Sequence, residues 1–156
     1  TDALLQRGAY YVLAGEYDRA LQDLDRAIRV LTPECGQATP CIKGGGIWAS
    51  AFICRGYAYT GKGQYDRALD DFNRAIRLSY PDAYLGRAYA YRQKGDRARA
   101  TADLDSFIGA YPLDGNGYAN RARARLAWGD KAGSDADFLR AREMNPLYPK
   151  GRDGCL

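Results

Sequence analysis

Histidine is absent from this sequence of 156 residues. Because histidine is the commonest general base and a very common metal ligand, its absence argues against most acid–base catalysis and most metal sites. Long apolar runs are also absent: the longest, residues 47–54, is far shorter than the roughly 18 residues of a membrane span. The net charge is only +4, and acidic residues lie among the basic ones, whereas a nucleic-acid-binding protein usually carries an unbroken basic stripe. We therefore expect neither a membrane span nor a nucleic-acid partner.

What the sequence does contain is an internal repeat. Residues 15–30, GEYDRALQDLDRAIRV, match residues 63–78, GQYDRALDDFNRAIRL, almost throughout, and residues 95–110 and 129–144 are weaker copies. A glycine opens each copy, and apart from the longer first interval the period is roughly 34 residues, which predicts a unit of two helices. Each glycine predicts a turn between the two helices, and a proline, which cannot continue a helix, predicts the end of each unit. These positions are Gly15, Gly63, Gly95 and Gly129, and Pro33, Pro81, Pro112 and Pro146.

The recurring residues resemble the tetratricopeptide repeat. That pattern has a large residue, Gly or Ala, and Tyr on its first helix, and Ala, an aromatic residue or Leu, Ala and a final Pro on its second. The third unit departs from it with Phe107 in place of Ala, and the fourth with Arg125 in place of Tyr and Ser134 in place of Ala. The matching residues are Leu4, Gly8, Tyr11, Ala20, Leu24, Ala27 and Pro33; Phe52, Gly56, Tyr59, Ala68, Phe72, Ala75 and Pro81; Tyr84, Ala88, Tyr91, Ala100, Leu104 and Pro112; and Tyr118, Ala122, Phe138, Ala141 and Pro146.

The resemblance covers about residues 2–146 apart from one insertion, and it implies an all-α fold, an α-α superhelix (solenoid) of four helix-turn-helix repeats. We predict a single domain over residues 1–156. The chain begins with Thr1 instead of Met, so we expect a processed or trimmed product. The predicted repeats cover residues 1–34, 48–80, 81–114 and 115–147, with an insertion at 34–47 between the first two and a tail at 148–156.

One feature goes beyond the generic pattern. Every unit has an arginine just before its small first-helix residue and an aspartate in its second helix, and the separation between the two is the same in all four units. Such identical spacing favours one ion pair per repeat, bridging its two helices, over independent solvated charges. We therefore interpret these residues as structural and not catalytic. The predicted pairs are Arg7–Asp23, Arg55–Asp71, Arg87–Asp103 and Arg121–Asp137.

The insertion contains the stretch PECGQATPC. A zinc site needs four ligands, and without histidine it would need all four cysteines, although Cys54 lies within a predicted helix and Cys155 lies in the tail. A disulfide between Cys35 and Cys41 fits the spacing better, and Cys54 and Cys155 would then be free or joined to each other. Because disulfides persist outside the reducing cytosol, we expect a periplasmic or secreted protein. The alternative is a cytoplasmic protein with four reduced thiols.

The resemblance also implies a concave groove lined by the first helices, where a partner would bind. The family's peptide clamp uses Lys and Asn at set positions of these helices, but the first such positions here hold Leu5 and Ala9. We therefore expect no clamp, but an apolar and aromatic groove with cations toward its C-terminal end. The tyrosines are equally consistent with packing between neighbouring repeats. The predicted groove residues are Leu5, Ile53, Tyr57, Leu85, Tyr89, Arg92 and Arg123.

We predict a non-catalytic scaffold that binds a partner peptide or protein segment, with no cofactor and no metal. One alternative is a self-associating module, because the last helix would expose Ala136, Leu139 and Met144 and only a short tail follows it. A second alternative is a metal or redox protein that uses the cysteines. A third is a nucleic-acid-binding protein, whose contacts would be Arg92, Arg121, Arg123 and Arg125.

Overall fold

The structure is a computed structural model and describes residues 1–31 and 45–145. Within these ranges the chain forms α-helices and no strand, so the predicted all-α class is confirmed. Successive helices pack in pairs as helical hairpins, and each hairpin also packs on the next. The hairpins are α1 (Asp2–Leu13) with α2 (Tyr17–Leu31), α3 (Gly45–Gly61) with α4 (Tyr65–Arg77), α5 (Asp82–Gln93) with α6 (Arg97–Ala110), and α7 (Gly115–Ala127) with α8 (Lys131–Met144).

The turns inside the hairpins lie at the predicted glycines. Gly15, Gly63, Gly95 and Gly129 have φ angles of +75°, +72°, +79° and +85°, a left-handed conformation that an L side chain adopts only at a cost. The residue after each glycine then donates its N–H to a carbonyl five positions back, as in Glu16 N to Tyr11 O at 2.9 Å. This bond satisfies a carbonyl that the end of the helix would otherwise leave unpaired. The same short turn therefore reverses the chain in every hairpin.

The closest contacts in the core join a glycine of a first helix to a large residue of a second helix. Phe72 of α4 is fully buried and lies between Gly56 of its own hairpin and Gly86 of the next. A Cβ on Gly56 would come within 2.8 Å of the Phe72 ring, so a larger residue there would push the helices apart. Gly8 stands in the same relation to Leu24, where a Cβ would lie 2.7 Å from Cγ. Close approach of the helices thus depends on these glycines.

Helix α3 begins earlier than the sequence predicts. The second repeat was expected to start at residue 48, after an insertion at 34–47, but α3 already begins at Gly45. Its first turn packs close to the connection between α4 and α5, because a Cβ on Gly46 would collide with the hydroxyl of Tyr80. Because glycine is a poor helix former, the sequence indicated a flexible connection at Gly45 and Gly46, where tertiary packing instead places a helical turn.

Several predictions concern residues outside the described ranges. The disulfide between Cys35 and Cys41 and the state of Cys155 belong to this group, and they stay predictions. Of the four prolines predicted to end the units, two lie within the described ranges and two outside them. Pro81 and Pro112 lie between hairpins, whereas Pro33 and Pro146 fall outside the described residues.

Candidate functional site

A ladder of arginine–aspartate pairs runs through the four hairpins. In each one, an arginine of the first helix donates from Nε and Nη2 to the two carboxylate oxygens of an aspartate of the second helix, at 2.6 to 2.9 Å. This two-point geometry is the strongest form of an arginine–carboxylate contact. The four aspartates are buried, with exposed fractions of only 2 to 8%. The structure thus joins all the residues predicted to pair: Arg7 with Asp23, Arg55 with Asp71, Arg87 with Asp103, and Arg121 with Asp137.

Three of these arginines also reach into the preceding hairpin, which the sequence analysis did not predict. The remaining Nη1 of each donates to an oxygen of the residue that follows the preceding ladder aspartate by two positions. The triplets that begin with the ladder aspartate read D-L-D, D-F-N and D-L-D, so their last residue is polar in all three hairpins. This recurrence could have indicated the contact. The ladder therefore fastens the hairpins to one another as well as internally. The contacts are Arg55 to Asp25 at 2.7 Å, Arg87 to Asn73 at 2.5 Å, and Arg121 to Asp105 at 2.6 Å.

Burial along the ladder differs between its first and later members. The side chain of Arg7 is 57% exposed, whereas that of Arg55 is 14% exposed. The hydrogen bond between Arg7 and Asp23 raises the pKa of the arginine and lowers the pKa of the aspartate. Burial alone would lower the pKa of Arg55, but its hydrogen bonds with Asp71 and Asp25 outweigh this effect and raise it. The arginines consequently stay charged, which suits a structural role and not proton transfer.

The fourth hairpin departs from the repeat pattern and compensates for it. In the first three hairpins a tyrosine near the end of the first helix lies under an arginine of the second. In the fourth, Arg125 replaces the tyrosine and donates to Asp137 at 2.8 Å and to the Gly133 carbonyl at 3.2 Å. Asp137 is thereby shared by two arginines. The tyrosine–arginine contacts of the other hairpins are Tyr11–Arg19, Tyr59–Arg67 and Tyr91–Arg99, with 5.8, 5.8 and 4.8 Å from Cζ to the ring centroid.

Most of the predicted apolar groove residues are packed into the body of the array. Leu5, Ile53 and Leu85 are half-buried and pack against core clusters. The ring of Tyr57 meets that of Phe72 edge-on, with 5.3 Å between centroids. These four side chains are therefore partly buried by contacts within the array.

The predicted groove residues of the C-terminal half form a more open surface. Tyr89 is 36% exposed, and the Arg92 guanidinium lies 5.1 Å from its ring centroid. Arg92 and Arg123 also line one cavity of about 530 Å³ between α5 and α7. Among residues 1–31 and 45–145, no acidic residue contributes to its lining, which combines positive charge with apolar surface. The residues that line it are Arg92, Gln93, Arg123, Leu126, Ala127, Trp128 and Phe138.

Sequence analysis missed Trp128 as a member of this surface. It packs against the cluster of Ala88, Leu104 and Ala124, and the guanidinium of Arg97 lies 5.9 Å from its ring. Alignment of the repeats could have indicated that this position is unusual, because the two preceding units have Lys62 and Lys94 where the fourth has this tryptophan.

The last helix presents part of the face expected for self-association. Leu139 is 59% exposed, and Ala136 is exposed beside it on α8. Met144 instead packs against the cluster that contains Tyr118 and Ala141. A further apolar residue, Leu113, is 83% exposed in the α6–α7 connection. The exposed part of this face is thus smaller than the sequence suggests.

The described part of the chain offers little for thiol or metal chemistry. Cys54 is half-buried in α3, and burial raises the pKa of its thiol, so little of it is the reactive thiolate at neutral pH. Within residues 1–31 and 45–145, no group of three or more His, Cys, Asp or Glu residues could hold a metal ion. Over the same ranges, no helix has both the length and the apolar character that crossing a bilayer requires.

Comparisons with known proteins agree with this architecture. Two family models, each described as tetratricopeptide repeat, match residues 49–79 and 82–114. The chain is similar to the crystal structure of MamA, with 23% identity, a TM-score of 0.67, and coverage of 93% of this chain and 78% of that one. It is also similar to a tetratricopeptide repeat protein from Parabacteroides merdae, with 28% identity and a TM-score of 0.73, over 96% of this chain but only 53% of that one.

A third similar structure is the first such domain of Spaghetti, bound to the HSP90 peptide SRMEEVD. It has 24% identity and a TM-score of 0.58, with coverage of 65% of this chain and 82% of that one. A search of curated proteins gave no match.

Proposed function

Because this chain is a tetratricopeptide-repeat protein with about four repeats, we propose that it is a non-catalytic scaffold. It binds a segment of a partner protein along its first helices, at the end formed by α5 and α7. Arrays of such repeats typically serve protein–protein interaction through their concave surface. The observation that carries the proposal is the cavity of about 530 Å³ between these helices. Its lining contains two arginines together with apolar side chains. Peptide recognition needs both an apolar contact and a polar group that fixes register.

Two features set this site apart from a terminal-carboxylate clamp. The first positions at which the family's clamp has Lys and Asn hold Leu5 and Ala9, and Leu5 packs against the core. The two arginines that line the cavity lie toward the other end of the array, Arg92 on α5 and Arg123 on α7. A partner would therefore be held by contacts near Arg92 and Arg123 and not near the first hairpin.

A purely scaffolding role is consistent with the chemistry of the side chains. Nucleophilic catalysis by cysteine requires a base that activates the thiol, and the sequence contains no histidine. Burial of Cys54 raises the pKa of its thiol, which works against activation. The buried aspartates of the ladder are each occupied by an arginine and cannot serve as general bases.

Selection of peptides from a displayed random library, followed by fluorescence anisotropy with the purified chain, tests the proposal. We expect the selected peptides to lose affinity for the variants Tyr89→Ala and Arg92→Glu. The matched control is Arg77→Glu, which reverses the same charge at the exposed end of α4. Peptides that bind both charge-reversed variants equally well, or a library that yields no binder, would contradict the proposal.

Self-association is a second candidate function, and the 59% exposure of Leu139 on α8 favours it. The matched variants are Leu139→Glu and Leu126→Glu, because Leu126 is similarly exposed, at 54%, but lies on α7. We expect only Leu139→Glu to shift a concentration-dependent sedimentation profile toward the monomer. A strictly monomeric profile of the unaltered chain at high concentration would remove this candidate.

A further inference from the structure

The three junctions between hairpins do not have the same charges at the ends of their first helices. At the first junction, Lys62 forms an ion pair with Asp18 of the preceding hairpin, and at the second, Lys94 pairs with Asp66 in the same way. The equivalent residues at the third junction are Trp128 and Ala98. The third junction has therefore lost both the lysine and its carboxylate.

Two cations at the third junction make no ion pair with an acidic side chain in the part of the chain that the structure describes. Arg92 contacts the ring of Tyr89 and Arg97 contacts the ring of Trp128, and neither makes an ion pair with any residue in the described ranges. The nearby carboxylate of Asp96 is taken by Arg99 at 2.5 Å. Positive charge on aromatic and apolar surface is thus available to a ligand that brings its own carboxylates.

The residues that line the cavity indicate the order of charged and apolar groups in such a ligand. Its two lining arginines belong to different helices, Arg92 to α5 and Arg123 to α7. Its apolar lining includes Trp128 and Leu126, and 54% of Leu126 is exposed. A cavity of about 530 Å³ accommodates a bulky side chain. A chain that crosses it would place an apolar side chain between two groups that face the arginines.

We propose that the third junction binds an internal acidic segment of a protein, in which an aromatic or large aliphatic side chain is flanked by carboxylates. The apolar side chain enters the cavity beside Trp128, and the flanking carboxylates meet Arg92 on one side and Arg123 on the other. This inference rests on the proposed scaffold function and adds the charge and pattern of the partner segment. No free chain end is needed, since the side-chain carboxylates supply the negative charge.

The fluorescence of Trp128 reports directly on this site. The sequence has two tryptophans, so Trp48→Phe leaves Trp128 as the only tryptophan, and excitation at the red edge of the absorption band avoids the tyrosines. The probe is a synthetic peptide, acetylated and amidated at its ends, with one phenylalanine between aspartates and glutamates. We expect a saturable change in emission, and a dissociation constant that rises about tenfold in Arg92→Gln, as for the loss of one charge-assisted contact. Arg77→Gln is the matched control and should leave the constant unchanged.

Two further titrations separate the apolar and the ionic parts. Replacing the phenylalanine of the probe with alanine should weaken binding at least tenfold, because the apolar ring no longer enters the cavity. A single-stranded oligonucleotide of equal charge should compete poorly. Equal competition by the oligonucleotide would overturn the inference in favour of a general polyanion surface, and so would unchanged affinity of the acidic peptide for Arg92→Gln.

The remaining outcomes distinguish this inference from the scaffold function on which it rests. If library-selected peptides bind the chain but the acidic probe does not alter Trp128 emission, the acidic-segment inference is wrong and the scaffold function stands. If neither the probe nor any selected peptide binds, both are wrong. Circular dichroism melts of each variant confirm that a loss of binding is not a loss of fold.

Discussion

The first two junctions between hairpins and the third share one framework but differ in their side chains at the surface. All three have an arginine of the ladder reaching back to the preceding hairpin, with Arg121 donating to Asp105 at 2.6 Å in the third. Within residues 1–31 and 45–145, the first two add a lysine–aspartate pair, whereas the third has Trp128 in the lining of a cavity. The comparison teaches that the positions that stack the hairpins recur, while the positions of the proposed binding surface vary.

Breaking the ladder at a buried junction should have the largest effect. Arg55→Ala would leave the carboxylate of Asp71, which is 2% exposed, without its cation. We expect the free energy of unfolding in urea to fall by about 3–5 kcal/mol. Arg7→Ala is the matched control, because 57% of that side chain is exposed, and its cost should be clearly smaller. Equal costs for the two variants would refute the idea that burial sets the strength of the ladder.

The first junction also differs from the others in its longer connection, which contains Cys35 and Cys41. We predict a disulfide between them, which would stabilise the fold by about 2.4 kcal/mol in the chain-entropy account of a seven-residue loop. Intact mass after alkylation, with and without reduction, should show two thiols of protein from its native compartment protected until reduction. That result would place the protein in the periplasm or outside the cell. Immediate reaction of all four thiols would instead point to the cytoplasm.

Converting the third junction into a copy of the second sharpens the comparison most directly. The double variant Trp128→Lys, Ala98→Asp restores the lysine–aspartate pair at the equivalent positions. We expect it to abolish binding of the acidic peptide, and to lower the free energy of unfolding by about 2 kcal/mol because Trp128 packs against Leu104 and its neighbours. Ala98→Asp alone is the control for added negative charge. Retained peptide binding in the double variant would show that recognition lies elsewhere.

A smaller effect is expected inside the fourth hairpin. Ser134 is 1% exposed, and its Oγ has no hydrogen-bond partner within the described ranges, whereas the other three hairpins have alanine at this position. Ser134→Ala should raise the free energy of unfolding by about 1 kcal/mol, because a buried hydroxyl without a partner is unfavourable. The reverse change in the third hairpin, Ala100→Ser, should lower it by a similar amount. A destabilised Ser134→Ala would reveal a contact that the hydroxyl makes.

The smallest effect concerns pH at the exposed end of the ladder. Because the hydrogen bond from Arg7 lowers the folded-state pKa of Asp23, this pair stabilises the fold above the unfolded pKa of about 3.9. Its contribution is lost as pH falls through the lower, folded-state value. Thermal melts between pH 6 and pH 2 should therefore show a shallower acid-side decline for Asp23→Asn than for the unaltered chain. An identical decline would contradict the shift.

Much of the framework could be predicted from the sequence because it depends on local rules that repeat. A left-handed turn requires glycine at positions such as Gly95, and the constant separation of arginine and aspartate identified each ladder pair before its geometry was known. The reach of Arg87 to Asn73 was not predicted, since it depends on how one hairpin is placed on another. The start of α3 was misplaced for the same reason, because packing of Gly46 near Tyr80 overrides the weak helix propensity of glycine.

The packing of the predicted groove residues could not be derived from the sequence. Arg92 and Arg123 line one cavity, whereas Ile53 and Leu85 pack against core clusters. A modest rotation of a first helix moves a side chain from the groove into the core, and the sequence does not fix that rotation. Trp128 was overlooked because it occupies a position where a generic repeat has no required residue.

The ladder also has a direction, and this restricts how copies of the chain can join. Within the described ranges, Nη1 of Arg7 at the first end has no acceptor, while Leu139 at the last end stands where the earlier hairpins have Asp25, Asn73 or Asp105. A head-to-tail filament would bring this arginine against a leucine at every seam, and the register of the ladder would be broken there. Such a seam would lack the arginine contact that fastens successive hairpins to one another within the chain.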